Sequence, residues 1–387
     1  MTEMVYRAPG KMAGEPLLPR WWRTIDKGTL AAILALFSIG ILLGLAASPP
    51  LAARNDLPQF YYVYRQAQFG VISAAAILII SMMSPDMVRR WGVLGFIGAT
   101  VALILLPWLG TDFGKGAVRW YSLGFTSLQP SEFLKPGFVV VSAWLMSASF
   151  DRKGPPGMAM SFIIAVSLAL ILAMQPDFGQ AALIMATWGM MYFVAGAPML
   201  LLVALAGGAV AAGTFAYQNS PHVRRRIDGF LDADIDPTTQ IGHASSAIRE
   251  GGLFGVGAGG GEIKKTLPDA HTDFIIAVAA EEYGVLLCFI IIALFAFIVA
   301  RSLIALLRER DPFVRLAGTG LAVMLGLQAT INLGVAVRLL PAKGMTLPFV
   351  SYGGSSLVAA GLAMGMLLAF TRRRPQDELS DVFGNAS

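Results

Sequence analysis

The sequence predicts an all-α, polytopic membrane protein of about ten transmembrane helices, and three observations predict it. Hydrophobic residues fill 56% of the 387 positions and charged residues only 14%, which leaves too little polar surface to cover a soluble globule. Nearly charge-free runs, long enough to cross a hydrocarbon core of about 30 Å, recur along the whole chain. Lysines and arginines gather in alternate connections between those runs, as they do where a chain crosses a membrane repeatedly.

Taken in order, the spanning runs are Thr29 to Ser48, Phe69 to Ser84, Trp91 to Leu109, Phe133 to Ser149, Met158 to Met174, Ala181 to Val194 and Pro198 to Tyr217. Phe274 to Ala300, Leu316 to Val337 and Phe349 to Phe370 follow a long polar segment. The pieces around Gln175 to Gln180 and around Gly196 are short, which makes them the expected place for a broken or re-entrant segment. With ten spans, the N-terminus, Arg89-Arg90, Arg152-Lys153, the cluster Arg301, Arg308, Arg310 and Arg315, and the tail Arg372 to Arg374 share one side, read as cytoplasmic. The domain plan is a cytoplasmic N-terminal segment 1–28, an integral membrane domain 29–371 with a large extracytoplasmic loop 218–272, and a cytoplasmic tail 372–387. The polar, basic N-terminal stretch does not resemble a cleavable signal, so the first helix is expected to stay as an anchor. The single Cys288 excludes an intramolecular disulfide, and His222, His243 and His271 are too scattered to suggest zinc. The net charge of +5 is parcelled among membrane loops rather than collected on one face, which argues against nucleic acid as a partner.

Ionisable residues at or inside helix ends of such a bundle need a partner or a purpose. Few qualify: Glu132 and Lys135, Asp177, then Asp273, Glu281 and Glu282. Glu132 and Lys135 are three apart and fall on one helix face, so a helix-end ion pair stands beside any functional reading. Asp273 precedes a long apolar run, where local pattern alone favours a capping residue over a reactive one. Glu281 and Glu282 read as partners of buried polar groups. The glycine-rich stretch Gly251 to Gly261 has no strand before it, so its chance resemblance to a dinucleotide fingerprint gives way to a plainer meaning of tight turns and close approach. Lys264 and Lys265 behind it either bind an anionic headgroup or are solvated. Ser351 to Ser356 form a second glycine-rich turn beside Lys343, where small residues commonly serve helix packing.

Read together, these features match one family. Gly116-Ala117-Val118-Arg119-Trp120, Gln129-Pro130-Ser131-Glu132-Phe133-Leu134-Lys135, Gln175-Pro176-Asp177-Phe178-Gly179 and Leu267-Pro268-Asp269-Ala270-His271-Thr272-Asp273-Phe274 resemble the SEDS proteins (shape, elongation, division and sporulation). The similarity runs from Lys27 to Arg374. Pro341 to Pro348 leading into Ser351-Tyr352-Gly353-Gly354-Ser355-Ser356 is closer to the division members than to the elongation members. The resemblance implies a SEDS-type fold in the bacterial inner membrane, with a site facing the periplasm. It implies a peptidoglycan glycosyltransferase that polymerises lipid II, working with a class B penicillin-binding transpeptidase, other division-complex membrane proteins and membrane lipids.

It also makes Asp273 the essential carboxylate. Joining two disaccharides needs a base for a sugar hydroxyl and positive charge for the departing undecaprenyl pyrophosphate. Arg119, Lys135, Lys264, Lys265 and Lys343 are the candidate cations, Lys135 foremost because it lies in a motif. The chemistry leaves room for a divalent cation such as Mg2+ or Mn2+. Trp120 offers a flat platform or an interfacial belt residue, Glu132 orders the site through Lys135 or holds a metal, and Ser351 completes the substrate-binding set. His243 stands where many relatives carry Gln and receives no role. Two rivals remain: a lipid II flippase built on the same cavity, and a division scaffold that recruits a transpeptidase.

Overall fold

The computed structural model describes residues 16–112, 118–124, 126–219, 224, 228, 239–267, 269–340 and 344–373. A short helix α1 (Leu17–Thr24) leads into α2 (Lys27–Arg54), whose N-cap Asp26 accepts from the Gly28 and Thr29 amides. That carboxylate satisfies amides that lack a helical partner. Next come α3 (Tyr61–Ser81) and α4 (Pro85–Leu109), the latter opened by the Ser84 hydroxyl and by Pro85 in its first turn. A two-stranded hairpin, β1 (Tyr121–Ser122) and β2 (Ser127–Leu128), pairs Tyr121 with Leu128. Then follow α5 (Pro130–Ala148), α6 (Gly157–Met174), α7 (Phe178–Val194), α8 (Met199–Asn219), α9 (Gln240–Gly251), α10 (Ile275–Leu306), α11 (Pro312–Ala336) and α12 (Gly354–Thr371).

Each of the ten expected spans falls on a helix. Eight of those helices are long and apolar enough to cross a membrane by length and composition, and the 17-residue α7 is a shorter apolar helix. The remaining one, α5, carries Glu132 and Lys135 and is buried along nearly its whole length. The chain is a multi-pass membrane protein. α8 lies at the margin, with Leu200, Val203 and Val210 exposed, as suits a helix facing lipid.

Two features depart from the expected plan. The large loop contains α9, which buries Ala244 and Ala247 and is capped by the Thr239 hydroxyl on the Gly242 amide at 3.1 Å. The turn Gln175 to Asp177 simply joins two intact helices, whereas the discontinuity lies in α10, where Gly284 takes φ 80 and ψ 174. The break divides α10 into a buried piece, 275–283, and a piece 285–306 long enough to span by itself. Backbone groups freed by a break inside a bundle must be satisfied within the protein, and the glycine-rich stretch does this. The Val256 and Gly257 amides donate to the carbonyls of Glu281 and Glu282, and the Val285 and Leu286 amides donate to those of Gly252 and Leu253. Only glycine fits such backbone-to-backbone contact: a Cβ on Gly251 would lie 1.8 Å from the Ala280 carbonyl oxygen, and one on Gly284 2.2 Å from that of Leu253.

Contacts fix which helix ends lie together. α2 and α10 run antiparallel, with Asp26 on Arg301 and Arg54 on the Lys265 carbonyl. α3 and α12 run parallel and close, Gly361 against Ser73 and Gly365 against Ile77 and Ile80, the small residues admitting a backbone approach that lipid-embedded helices favour. At one end of the bundle Trp21 bonds Ser81, Arg372 bonds the Ser81 and Met82 carbonyls, and Arg89 lies over Phe313. At the other end stand the hairpin, α9 and the segments around 271 and 351.

Candidate functional site

The backbone of residues 271–273 is held at every carbonyl. That of His271 accepts from the Tyr352 amide at 2.9 Å, that of Thr272 from the Ser351 hydroxyl, and that of Asp273 from Asn332 Nδ2 at 3.0 Å. On the other side of the turn the Asp269 carbonyl collects the amides of Thr272 and Asp273 at 3.0 and 3.1 Å. The Asp273 side chain remains half-buried, with Gly344 beside it: a Cβ there would sit 3.6 Å from Asp273 Oδ2. The N-cap position of α10 is Phe274, not Asp273, and its side chain makes no capping bond; the capping expectation for Asp273 is corrected accordingly.

Three half-buried rings crowd next to the turn. Tyr62, His271 and Tyr352 form a triangle with centroids 5.3 to 5.5 Å apart. Burial pushes the Tyr352 phenol above its ordinary range, against the pull of the Arg65 guanidinium bonded to it.

Behind the turn runs a buried polar chain. Gln180 Nε2 donates to Glu132 Oε1 at 2.6 Å, and Glu132 Oε2 pairs with Lys135 Nζ at 2.7 Å. Lys135 Nζ also donates to Gln328 Oε1 at 3.0 Å, and Gln328 Nε2 to the Thr346 carbonyl at 3.1 Å. Gln328 and Asn332 lie four apart on one face of α11; Asn332 Nδ2 reaches the Met345 carbonyl at 2.6 Å as well as that of Asp273. A second buried pair joins Lys264 to Glu282, while the Glu281 carboxylate accepts the Ile263 and Lys264 amides at 2.7 and 3.0 Å. Both glutamates therefore act as partners of buried polar groups, as expected.

The comparisons with known proteins bear on this geometry. The family model described as a cell cycle protein and covering FtsW, RodA and SpoVE matches residues 27–376. The chain belongs to the FtsW/RodA/SpoVE family. A family member from Caulobacter vibrioides named probable peptidoglycan glycosyltransferase FtsW is 42% identical over 356 residues, 92% of this chain and 91% of that protein. Among solved structures, a chain of a peptidoglycan synthase complex, studied for how polymerization and crosslinking are coordinated, aligns with a TM-score of 0.74 at 27% identity over 90% of this chain and 97% of that one. The rod shape determining protein RodA of Thermus thermophilus aligns with a TM-score of 0.67 at 25% identity over 90% of this chain and 97% of that one.

Within this FtsW/RodA/SpoVE chain, the described cations among those singled out from the sequence are each engaged with other partners. Lys135 is 3% exposed and occupied by Glu132 and Gln328; Lys264 is 6% exposed and occupied by Glu282. Each is matched where it lies, as a buried ammonium must be. Lys265 pairs with Glu262 at 2.6 Å on the surface. Arg119 donates to the carbonyls of Gln175 and Pro176 at 3.2 and 2.7 Å, tying the outer connection to the turn before α7. In that turn, burial pushes the Asp177 carboxyl above the usual carboxylate range, against the pull of Arg119. Trp120 is half-buried and bridged through its backbone to Thr111. Ser351 is 2% exposed, donating to the Thr272 carbonyl and accepting the Leu347 amide, which ties the turn to the 347–351 segment. Lys343 lies outside the described residues. Among the described residues no group of three His, Cys, Asp or Glu side chains comes together that could hold a metal ion, and the Glu132 carboxylate pairs with Lys135 and accepts from Gln180. Tyr62, Arg65, Gln328 and Asn332 were not singled out from the sequence. For Arg65 the signal was present, a cation among tyrosines just before an apolar run; Gln328 and Asn332 resemble ordinary polar packing until their partners are seen.

Proposed function

We propose that the chain is a peptidoglycan glycosyltransferase of cell division that polymerises lipid II, with Asp273 as general base. The observation that carries this reading is the triple tether of residues 271–273, which fixes the backbone of a half-exposed carboxylate at one end of the bundle. In the proposed step, the 4-hydroxyl of an incoming N-acetylglucosamine attacks the anomeric carbon of the lipid-linked strand. Its proton passes to Asp273, the new glycosidic bond forms, and undecaprenyl pyrophosphate leaves. A positioned base contributes about 10²- to 10⁴-fold to such a transfer. The rings of Tyr62, His271 and Tyr352 offer apolar faces to a sugar. Positive charge for the departing pyrophosphate comes from Arg65 and from Lys343, which precedes the glycine beside Asp273, rather than from the enclosed Lys135 and Lys264.

The basic end of the bundle is the cytoplasmic one by the positive-inside bias, which puts both ends of the described chain inside and Asp273 outside. The name of the Caulobacter relative and the synthase complex support both the activity and a class B transpeptidase partner. The test is polymerisation of labelled lipid II by the purified protein, alone and with its transpeptidase. Asp273→Asn is expected to lower the rate at least about a hundredfold with normal protein yield, and polymerisation at the wild-type rate would overturn the assignment. Orientation is checked by impermeant maleimide on intact cells: Phe254→Cys reacts and Arg310→Cys does not.

A further inference from the structure

At the end of the bundle away from Asp273, the N-terminus of α2 and the C-termini of α10 and α12 surround a cavity of about 1070 Å³. Its rim is basic, with Arg23, Arg308, Arg310, Arg372 and Arg373 joined by Lys27 and Arg301. Only Asp26 and Glu309 oppose these seven cations in the described lining. Both carboxylates already have protein partners: Asp26 takes Arg301 at 2.7 Å and the first amides of α2, and Glu309 accepts the Asp311 amide at 2.9 Å. Hydrogen bonds from Arg301 and Thr29, with the charge of Arg301, outweigh burial and hold the Asp26 carboxyl below the usual carboxylate range. The described lining carries a positive excess.

The wall below the rim is apolar. Phe297 and Ile304, 44% and 59% exposed, lie on the same face of α10 as Arg301, since 297, 301 and 304 follow helical spacing, and Arg308 lines the cavity just beyond the end of the helix. Along that face apolar and cationic side chains alternate, and the arginines past the helix end at 308 and 310 make its outer rim cationic. A soluble anion would leave Phe297 and Ile304 uncovered, whereas a diacyl lipid would lay its chains on them and present its phosphate to the arginines, whose planar forks suit phosphate oxygens.

We propose that this cavity is a binding site for an anionic phospholipid, its phosphodiester headgroup held by Arg308, Arg310 and the neighbouring basic rim. Basic pockets between membrane helices hold such headgroups, each cation near the surface contributing about 1 kcal/mol. The site is independent of Asp273 and its chemistry, and lipid retention reads it without any assay of polymerisation.

The purified full chain in neutral detergent is titrated with dioleoylphosphatidylglycerol, with dioleoylphosphatidylcholine, or with inorganic phosphate. Native mass spectrometry reads retained lipid, and the melting temperature reads stabilisation. Phosphatidylglycerol is expected to be retained and to raise the melting temperature, and the other two to do neither. Arg308→Gln with Arg310→Gln should weaken phosphatidylglycerol retention about thirtyfold. Arg152→Gln with Lys153→Gln, an equal loss of charge at the same end but outside the cavity, should leave it unchanged. Equal retention of the two lipids, equal weakening by the two double variants, or the same stabilisation by inorganic phosphate would each overturn the proposal. The wild-type comparison of the two lipids stands whatever the variants do.

Discussion

At the end of the bundle that carries Asp273, the ionisable residues Glu132, Lys135, Lys264, Glu281 and Glu282 are buried and matched within the protein. At the opposite end Arg23, Arg308, Arg310 and Arg373 stand exposed around an open cavity. The difference lies in what charge is for. Where loops and a broken helix must be held in one arrangement, enclosed pairs fix them and tolerate little change, because an unmatched buried charge is costly. Where charge faces water and headgroups, single residues contribute little to folding.

The sharpest way to break this comparison is Lys264→Met, which leaves Glu282 enclosed without its cation and should cost about 3–5 kcal/mol. Arg310→Gln should stay within about 0.5 kcal/mol. Melting of the purified proteins in detergent checks both, and similar losses would erase the distinction between the two ends. Adding Glu282→Leu to Lys264→Met should recover much of the loss, since an apolar pair of similar volume often replaces a buried ion pair without penalty; no recovery would show that Lys264 contributes through something other than its charge.

A smaller effect is expected from Gly284→Ala. It sets a side chain at φ 80, a backbone strain of about 1–3 kcal/mol by itself, and the Leu253 carbonyl 2.2 Å away must shift to admit it, so limited proteolysis of the 251–263 segment should speed up. Smaller again, though above that of Arg310→Gln, is the effect of Asp26→Ala at the cationic end, about 0.5–2 kcal/mol for the lost cap. Because the Asp26 carboxyl is held below its ordinary range, its ionised form stabilises the fold above the unfolded value of about 3.9, and this contribution disappears as pH falls through the folded value. Melting curves of wild type and variant should therefore differ at neutral pH and converge in acid. A constant difference across the range would assign the effect to packing alone.

The ten helices were legible because apolar length is a local property, and each expected run lies on a helix. The motif around Asp273 was legible through family resemblance, although local pattern favoured a cap there. What escaped depends on contacts far apart in the chain. Lys264 was read as headgroup-binding or solvated until Glu282, 18 residues on, was seen to enclose it; the pairing of Lys135 with Glu132 was legible from their spacing, but its bond to Gln328 on α11 was not. Ser351 looked available for substrate, yet its hydroxyl is occupied by backbone on both sides. The break in α10 was expected elsewhere because short apolar runs draw notice, whereas Gly284 sits inside the most continuous run of all; its signal was the glycine-rich partner thirty residues earlier. α9 had a cap and apolar spacing, hidden in a segment read as loop.

The joint at Gly284 has a consequence for how the protein meets membranes of different thickness. A span adapts to a thicker or thinner bilayer by tilting, and in an unbroken helix that tilt would swing Asp273 on the end of a long lever. Here residues 271–273 are tied at their backbone carbonyls to Asn332, Ser351 and Tyr352 on the far side of the joint from the spanning piece, so a lean of that piece acts on the break at Gly284 before it reaches the acid.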